Sequence, residues 1–316
     1  MHIPVALDRC ISLLTPAIER AISERGEAVV IDATLGLGGH SRELLSRFPQ
    51  LRIIGLDRDL AAIAIATKNV AEFSHRITIV HTVYDEIVPV IEKLGLTTVD
   101  GILFDLGVSS MQLDEGERGF AYSQEAPLDM RMDQSQGQSA FDVLQTYDRS
   151  SLIRILRQYG EEKFAPRIAD NIIAARTEGK LQTTSQLAEL VKESIPAPAR
   201  RTGGNPAKRT FQALRIEVNN ELGVLKRAIP AALSVIAVGG RIVVMSYQSL
   251  EDKVVKRDFA KMVQSGTPLG LPMELPNSAA KFKLLFAGSE AASESEIAEN
   301  PRAASMRLRG IERVAS

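Results

Sequence analysis

The first hundred residues alternate between short apolar runs and longer segments whose apolar residues recur at helical spacing. Short strands separated by helices of about 10–15 residues are typical of βαβ units in a parallel sheet. The predicted strands cover residues 28–33, 52–57, 76–81 and 99–106, and the predicted helices cover residues 40–48, 59–70 and 85–94. The pattern therefore predicts an α/β fold.

The pattern changes after the fourth predicted strand. Between residues 112 and 214 there is no comparable buried-strand run, and helical patterns cover residues 151–159, 162–176 and 185–194. Thr183 or Thr184 is the expected N-cap of the last of these helices, and residues 196–206 have the composition of a loop. We therefore predict an all-helical domain over residues 113–214, inserted between the two parts of a sheet domain, residues 1–112 and 215–316.

Strand patterns return in the last third of the chain. An amphipathic helix is predicted over residues 207–228, with Phe211 in its apolar stripe and therefore in the core. A strand over residues 240–247 and a helix over residues 251–263 follow. Two further strands are predicted over residues 282–286 and 305–314, the second half-exposed because apolar and charged side chains alternate along it.

Composition limits the possible functions. The formal net charge of −1 gives no overall attraction to nucleic acid or membrane, so a nucleic-acid contact has to come from a local cluster. The single cysteine, Cys10, excludes an intramolecular disulfide, and the four histidines form no i, i+4 pair, so no metal site is predicted. No apolar run reaches roughly 18 residues, and the N-terminus lacks the apolar stretch of a signal peptide. We expect a soluble cytoplasmic protein that does not span a membrane.

A glycine-rich turn, DATLGLGGH at residues 32–40, ends the first predicted strand and opens a helix. Glycines there permit a tight turn and close approach of a ligand to the backbone, although a purely structural turn would use them as well. Ser41 stands where a third glycine would complete G-x-G-x-x-G. Asp57 ends the second strand, where its carboxylate can accept hydrogen bonds from ribose hydroxyls. The two features together predict an adenosine-containing cofactor, either a dinucleotide or S-adenosylmethionine.

Asp105 ends the fourth predicted strand, beside the point where an open α/β sheet binds its ligands. A methyltransferase needs a polar group there to hold the nucleophile of the substrate toward the methyl donor. The alternative is that Asp105 only caps a loop.

Blocks along nearly the whole chain carry a resemblance to a known family. They include DATLGLGGHS, FDLGVSSMQLD, YGEEKFAPRIA, RTFQALRIEVNNEL and GGRIVVMSYQSLED. The chain resembles the bacterial 16S ribosomal RNA (cytosine-N4)-methyltransferase family. The resemblance implies a Rossmann-like S-adenosylmethionine-dependent methyltransferase sheet with an inserted all-helical domain. It also implies S-adenosyl-L-methionine as methyl donor and, as target, a cytidine in the decoding centre of 16S rRNA within the small ribosomal subunit.

By block position, the cofactor-binding residues of that family fall on Gly38, Gly39, His40, Asp57, Tyr84, Asp105 and Gln112. Tyr84 stands where relatives often carry Phe, which preserves an aromatic face for the adenine. Tyr247 and Gln248 stand where the family usually has Phe and His, which argues against an obligatory acid–base role for a histidine there.

The chemistry of cytosine N4 makes Asp105 the candidate catalytic residue. The lone pair of N4 is delocalised into the ring, so the amine needs an acceptor that orients it and helps to remove a proton from a base turned out of its stack. DNA amino-methyltransferases use Asp or Asn before Pro-Pro-aromatic, whereas Asp105 here precedes Leu-Gly-Val. A cofactor-binding and a catalytic role for Asp105 both stay open at this point.

Two basic clusters are candidate RNA contacts. Residues 194–216 contain no acid but include Arg200, Arg201, Lys208, Arg209 and Arg215. Basic residues of this kind contact the phosphate backbone, although a solvated loop leading into a helix has the same composition. The second cluster is Arg302, Arg307, Arg309 and Arg313, which alternating exposure on an edge strand explains equally well.

Three other functions are less consistent with the sequence than an RNA methyltransferase. A dehydrogenase is disfavoured because the third glycine of the dinucleotide motif is missing. A non-catalytic RNA-binding factor is disfavoured because Asp57 and Asp105 are both present. A small-molecule methyltransferase leaves the acid-free basic segment without a role.

Overall fold

The computed structural model describes residues 4–109, 111–112, 116–200, 205–265 and 279–316. The chain divides into two compact units, one formed by Met1–Gly107 with Gly223–Ser316 and the other by Val108–Leu222. These bounds differ from the predicted ones, which placed the inserted domain over residues 113–214. Among the described residues, no helix is long and apolar enough to cross a membrane.

The first unit contains a seven-stranded sheet in the order β3-β2-β1-β4-β5-β7-β6. Its strands are β1 Ala28–Asp32, β2 Leu51–Asp57, β3 Ile77–His81, β4 Val99–Asp105, β5 Ile236–Ser246, β6 Phe282–Leu284 and β7 Arg307–Arg313. Strands β1 to β5 are parallel, whereas β7 runs antiparallel to β5 and β6. The chain order reverses between β1 and β4, which is the switch point where open α/β sheets bind ligands. The predicted α/β fold is confirmed.

Helices cover both faces of this sheet. In the first unit they are α1 Leu7–Arg25, α2 Gly39–Arg47, α3 Leu60–Asn69, α4 Ile87–Lys93, α12 Ser249–Met262 and α13 Glu294–Glu299. One core cluster packs Leu14 and Ile18 of α1 with Val30 and Leu103 of the strands. The cluster of the other face includes Phe104 and Phe259. Strands β1 and β4 are almost wholly buried, because both faces of a parallel sheet are covered.

The described residues of the second unit form helices and no strand of a sheet. The helices are α5 Ala140–Thr146, α6 Arg149–Gln158, α7 Ala165–Thr177, α8 Thr184–Ser194, α9 Ala197–Arg200 and α10 Lys208–Asn219. Thr183 is the N-cap of α8, and its hydroxyl accepts from the backbone N–H of Gln186 in a capping box. Phe211 lies in the core of this unit, edge-to-face on Tyr122 with ring centroids 5.8 Å apart, which confirms the predicted core position.

The predicted helix over residues 207–228 is two helices, because α10 ends at Asn219 and α11 Glu221–Val235 begins after a single intervening residue. Asn220 between them adopts φ +48°, a left-handed conformation that Asn tolerates better than most residues. The Asn219 side chain accepts from the backbone N–H of Met132 at 2.8 Å and donates to the Met130 carbonyl at 2.7 Å. The apolar spacing continues across the break, so periodicity alone predicted one helix.

Two buried threonines of the second unit give a matched prediction about stability. The Thr210 hydroxyl is fully buried and has no hydrogen-bond partner among the described residues. Thr184 is equally buried, but its hydroxyl donates to the Gln124 carbonyl at 2.6 Å and accepts from the Ala126 N–H at 2.9 Å. Because an unpaired buried hydroxyl costs about 1–3 kcal/mol, we expect Thr210→Val to raise the free energy of unfolding by about 1 kcal/mol.

The control is Thr184→Val, which makes the same β-branched substitution but leaves two backbone groups without their partner. It should lower the stability by about 1–3 kcal/mol. Urea denaturation of the two variants measures both changes. A Thr210→Val protein less stable than the wild type would contradict the first expectation.

Candidate active site

The site is built at the carboxyl edge of the parallel strands, where β1, β2 and β4 end in Asp32, Asp57 and Asp105. Strand β1 pairs with both β2 and β4, and Asp105 lies in register with Met245 of β5. Carboxyl ends of neighbouring parallel strands meet at one edge of a sheet, so the three carboxylates share this edge on either side of the switch point.

The glycine-rich turn is fastened to the end of β2. The Leu35 N–H donates to the Leu56 carbonyl at 2.9 Å, and the Gly36 N–H donates to Asp57 Oδ2 at 2.8 Å. Gly36 and Gly38 adopt φ +53° and φ +80°, in the left-handed region that side chains disfavour, and Gly38 then caps α2. Glycine is favoured at these two positions because it adopts a positive φ without the steric cost of a side chain.

Asp57 is a partly buried carboxylate with acceptor capacity left over. Its Oδ2 accepts from Gly36 and its Oδ1 accepts from the Asp59 N–H, both at 2.8 Å. A carboxylate has about four acceptor positions, so these two bonds leave room for further donors such as ribose hydroxyls. Burial raises the pKa of Asp57 to about 6, against the two backbone hydrogen bonds that lower it.

Gly39 and His40 contact the N-terminal segment that precedes α1. A Cβ atom at residue 39 would overlap the ring of Pro4, so only glycine fits there. The His40 side chain is buried, and its Nε2 lies 3.1 Å from the Val5 carbonyl oxygen. Because a carbonyl only accepts, Nε2 carries the proton, and burial lowers the pKa of His40 so that the ring is neutral. In this structure both residues hold the Gly-rich turn against the N-terminal segment.

The buried pair Asp32 and Ser41 also stabilises the glycine-rich turn. Asp32 is 2% exposed, and its Oδ2 accepts from the Ser41 hydroxyl at 2.6 Å. Burial raises the pKa of Asp32, and the Ser41 hydrogen bond opposes that shift. Ser41, which occupies the place of the missing third glycine, therefore ties the first turn of α2 to the end of β1.

Tyr84 lies in a single 3-10 turn, Tyr84–Glu86, that follows β3. Its ring packs edge-to-face on Phe104 of β4, with centroids 5.7 Å apart and planes at 89°. Phe104 is fully buried and precedes Asp105, so the Tyr84 ring is held beside the end of β4. The adenine-stacking role of Tyr84 stays a prediction.

Asp105 is held by its backbone and by its side chain. Its N–H donates to the Thr34 hydroxyl at 2.6 Å, and its Oδ1 accepts from the Tyr247 hydroxyl at 2.8 Å. Burial and the neighbouring Asp105 carboxylate raise the pKa of Tyr247 far above its usual value, so the phenol keeps its proton. The sequence singled out Tyr247 as a departure from a family pattern, but nothing in it indicated which group the hydroxyl meets.

The segment after β5 is fixed by Glu251 of α12. The buried Glu251 carboxylate accepts from the backbone N–H groups of Tyr247 and Gln248 at 2.9 and 3.1 Å. The acid thus stabilises the first turn of α12 and sets the backbone from which Tyr247 reaches Asp105.

Comparison with known proteins identifies the family. Residues 1–314 match the MraW methylase family. The chain belongs to the MraW methylase family. The resemblance drawn from the sequence blocks is confirmed at this level, and the protein is an S-adenosylmethionine-dependent methyltransferase.

Two relatives cover almost the whole chain. A protein from Renibacterium salmoninarum named ribosomal RNA small subunit methyltransferase H is 56% identical over 313 residues, 99% of this chain and 95% of the relative. A protein of the same name from Mycolicibacterium smegmatis is 57% identical over 313 residues, 99% of this chain and 84% of the relative. Among solved structures, an rRNA methylase from Streptococcus thermophilus is 10% identical with a TM-score of 0.44, over 99% of each chain.

The strand ends of this MraW-family methylase fit S-adenosylmethionine. Asp57 retains acceptor positions for ribose hydroxyls, and Gly36 and Gly38 have no side chain that would block the approach of a ligand to the backbone at those two positions. Gln112 belongs to the second unit, where its Oε1 accepts from the Ser109 N–H at 3.1 Å. Its cofactor role stays a prediction, as do those of the other six positions.

The basic residues predicted to contact RNA belong to the second unit, and they differ in what they already bind. Lys208 and Arg209 are exposed, with Arg209 Nη1 donating to the Glu161 carbonyl at 3.3 Å. Arg200 Nε donates to the Ile195 carbonyl at 2.6 Å, whereas Arg201 lies outside the described residues.

Arg215 has a carboxylate partner instead of an open surface. Its guanidinium makes two hydrogen bonds to Glu221 at 2.8 and 3.0 Å, and the side chains of the pair are 16% and 8% exposed. A guanidinium paired in this way is unavailable to a phosphate, because opening the pair would leave a buried carboxylate alone. We therefore leave Arg215 out of the RNA-contacting set.

The structure also changes the interpretation of the C-terminal arginine cluster. Strand β7 lies between β5 and β6, so the edge-strand explanation is wrong. Arg309 makes a bidentate pair with Asp252 of α12 at 2.7 and 2.9 Å. Arg313 donates to the Ile236 carbonyl at 2.9 Å. These two arginines join β7 to its neighbours, which weakens the case for an RNA surface there.

Proposed function

We propose that this methylase transfers the methyl group of S-adenosylmethionine to N4 of a cytidine in the decoding centre of 16S rRNA, in the small ribosomal subunit. The observation that carries the proposal is the position of Asp105 at the end of β4, on the far side of the switch point from Asp57, with its backbone N–H bonded to Thr34 and its carboxylate bonded to Tyr247. The names of relatives at 56% and 57% identity support a small-subunit rRNA substrate. The choice of cytosine N4 and of the decoding centre rests on the family resemblance.

The side chains of this protein have separable tasks in that reaction. Bound S-adenosylmethionine supplies a methyl group on a positively charged sulfur. Asp57 holds the ribose hydroxyls, and Tyr84 offers its ring to the adenine. Asp105 accepts a hydrogen bond from the exocyclic amine, which turns the nitrogen lone pair out of conjugation and toward the methyl carbon. As the new nitrogen–carbon bond forms and the methyl carbon–sulfur bond of the donor breaks, N4 must lose one proton, and Asp105 is positioned to accept it.

The state of Cys10 favours methylation of the base nitrogen over methylation of ring carbon C5. Methylation at C5 requires a cysteine thiolate that adds to C6. Cys10 is fully buried, its Sγ lies 3.5 Å from Met245 Sδ, and burial raises the pKa of its thiol. A buried neutral thiol is a poor nucleophile, so this chain has no cysteine suited to C5 chemistry.

The product of the reaction tests the proposal directly. Small ribosomal subunits that lack the modification are incubated with isotopically labelled S-adenosylmethionine and the protein, and the digested RNA is examined by nucleoside mass spectrometry. We expect the label in N4-methylcytidine. Recovery of the label in 5-methylcytidine or in a 2′-O-methyl nucleoside, with none in N4-methylcytidine, would contradict the assignment.

We also propose that the segment containing Arg200, Arg201, Lys208 and Arg209 contacts RNA phosphates. Lys208 and Arg209 are exposed at the start of α10. Cations bound to phosphates release counterions, so their number sets the salt dependence of binding. We expect Lys208→Glu with Arg209→Glu to weaken RNA binding at least about tenfold and to reduce the slope of log K against log salt by about 1–2.

A matched control separates this surface from the overall charge. Arg149→Glu with Lys180→Glu makes the same change in net charge on exposed cations of the same unit, but these two are paired with Asp170 and Glu178. The control should leave RNA affinity within about threefold of the wild type, and both double variants should bind S-adenosylhomocysteine normally. Equal losses in the two double variants would show that only the net charge matters.

A further inference from the structure

We infer that Tyr247 is a positioning residue for Asp105: its hydroxyl fixes the carboxylate in the orientation that receives the amine and keeps that carboxylate ionised. This inference rests on the proposed function, because it takes Asp105 to face the reacting nitrogen. The role of Tyr247 goes beyond the proposed function, because Tyr247 is a position at which this chain departs from the usual pattern of the family.

The geometry makes Tyr247 the group that completes the support of Asp105. Asp105 lies in register with Met245 of β5, so Tyr247 lies two residues farther along the chain, just past the end of β5. The Asp105 backbone is held by Thr34 at 2.6 Å, and the Tyr247 backbone is held by Glu251 at 2.9 Å. With both backbones fixed, the 2.8 Å bond from the hydroxyl to Oδ1 restricts the side-chain torsions of Asp105.

The Tyr247 ring packs close to the backbone of Gly107. Gly107 adopts φ +98°, and a Cβ there would meet Tyr247 Cδ2 at 3.7 Å. The Tyr247 ring therefore lies beside the backbone of Gly107, two residues after Asp105. A phenylalanine ring fits the same space, so Tyr247→Phe removes the hydroxyl without disturbing the packing.

The charges around Asp105 make that hydroxyl important for ionisation. Among the described residues, the titratable groups that interact electrostatically with Asp105 include Cys10 of α1, Asp32 at the end of β1, and Tyr247, which also faces Glu251 of α12. Asp32 and Glu251 are acids, and Cys10 is a neutral thiol, so none of these groups favours the charged form of Asp105. A hydrogen bond donated to a carboxylate stabilises its ionised form, and Tyr247 donates one.

Tyr247→Phe should therefore change catalysis in two linked ways. We expect kcat to fall by about tenfold, because one hydrogen bond that orients the acceptor is lost. The acid limb of the pH–kcat profile should move upward by about one pH unit, because the carboxylate then holds its proton more tightly. Binding of S-adenosylhomocysteine and of RNA should stay within about twofold of the wild type, since the hydroxyl contacts neither in this proposal.

The control is Tyr147→Phe in the second unit. Tyr147 also donates its hydroxyl to a carboxylate, Glu217 Oε1, at 2.8 Å. The two variants lose the same kind of bond, but only Tyr247 meets Asp105. Single-turnover rates on small subunits with saturating labelled donor are measured between pH 5.5 and 9 for the wild type and both variants, with thermal melting of each.

Each outcome decides the role of Tyr247. A lower kcat with a shifted acid limb in Tyr247→Phe, and an unchanged profile in Tyr147→Phe, supports the inference. A Tyr247→Phe enzyme with the rate and profile of the wild type overturns it, as does a lower rate with an unshifted limb, which a purely structural role would give. If the wild-type product is not N4-methylcytidine, the proposed function fails separately, and the same profiles, followed on the product that does form, still test the positioning of Asp105.

Discussion

Asp105→Ala should reduce turnover by about 10²–10⁴-fold while leaving the sheet folded. The loss follows from removing the acceptor that orients N4 and takes its proton, because a positioned general base contributes rate factors of about this size. The fold should survive because the bond from the Asp105 backbone to Thr34 does not involve the side chain. Single-turnover methylation of small subunits measures the rate, and circular dichroism checks the fold.

Asp105→Asn separates orientation from proton transfer. Asn has the size of Asp, and its Oδ1 can still accept the Tyr247 hydroxyl, but the amide cannot take a proton. If Asp105 accepts the proton, Asn should be as slow as Ala to within about tenfold. Calorimetry with S-adenosylhomocysteine measures any share that Asp105 has in cofactor binding. An Asn variant that keeps most of the wild-type rate would reduce Asp105 to an orienting or cofactor-binding residue.

The strands that carry the site were predictable because they are buried on both faces. Apolar runs marked β1, β2 and β4, and the acids that end β2 and β4 stand out against them. Parallel strands present their carboxyl ends at one edge, so Asp57 and Asp105 were placed together by topology alone. In contrast, the sequence pattern did not predict α1, a helix that contains Pro16 in its interior.

The side-chain partners were not predictable, because they join residues far apart in the chain or across an unexpected turn. The hydroxyl of Tyr247 and the carboxylate of Asp105 are 142 residues apart, and Arg309 finds Asp252 only when β7 lies inside the sheet. The sequence groups Arg215 with the surface cations because residues 194–216 contain no acid. The turn at Asn220 brings Glu221 against it instead. The spacing of apolar residues indicates whether a segment is a helix or a strand. The side-chain contacts described here depend instead on where each helix or strand ends.

Asp57→Ala should weaken binding of S-adenosylmethionine by about 10–100-fold. Two hydrogen bonds from ribose hydroxyls to a carboxylate would be lost, each contributing about 1.5–3 kcal/mol, and compensation by water keeps the net effect below their sum. The Gly36 N–H also loses its acceptor, so the turn loosens at the same time. Calorimetry with S-adenosylhomocysteine at pH 7.5 measures the change, and an unchanged dissociation constant would rule out the ribose role.

The pH dependence of the same binding gives a sharper test of Asp57. Burial raises its pKa from 3.8 to about 6 in the cofactor-free protein. A raised carboxyl pKa favours the protonated folded form, so this group makes the fold less stable as pH rises from 3.8 to about 6. Ribose hydroxyls donate to the ionised carboxylate and lower its pKa on binding, so cofactor binding releases a proton below about pH 6. Affinity should therefore increase with pH up to about 6 and then level off.

Asp57→Ala should remove this rise. Burial also raises the pKa of Asp32 and lowers that of His40, and both residues remain in the variant. The difference between the wild-type and variant profiles therefore isolates the contribution of Asp57. A variant that keeps the wild-type rise in affinity between pH 5 and pH 6.5 would assign the proton to Asp32 or His40 and leave Asp57 as a support for the glycine turn.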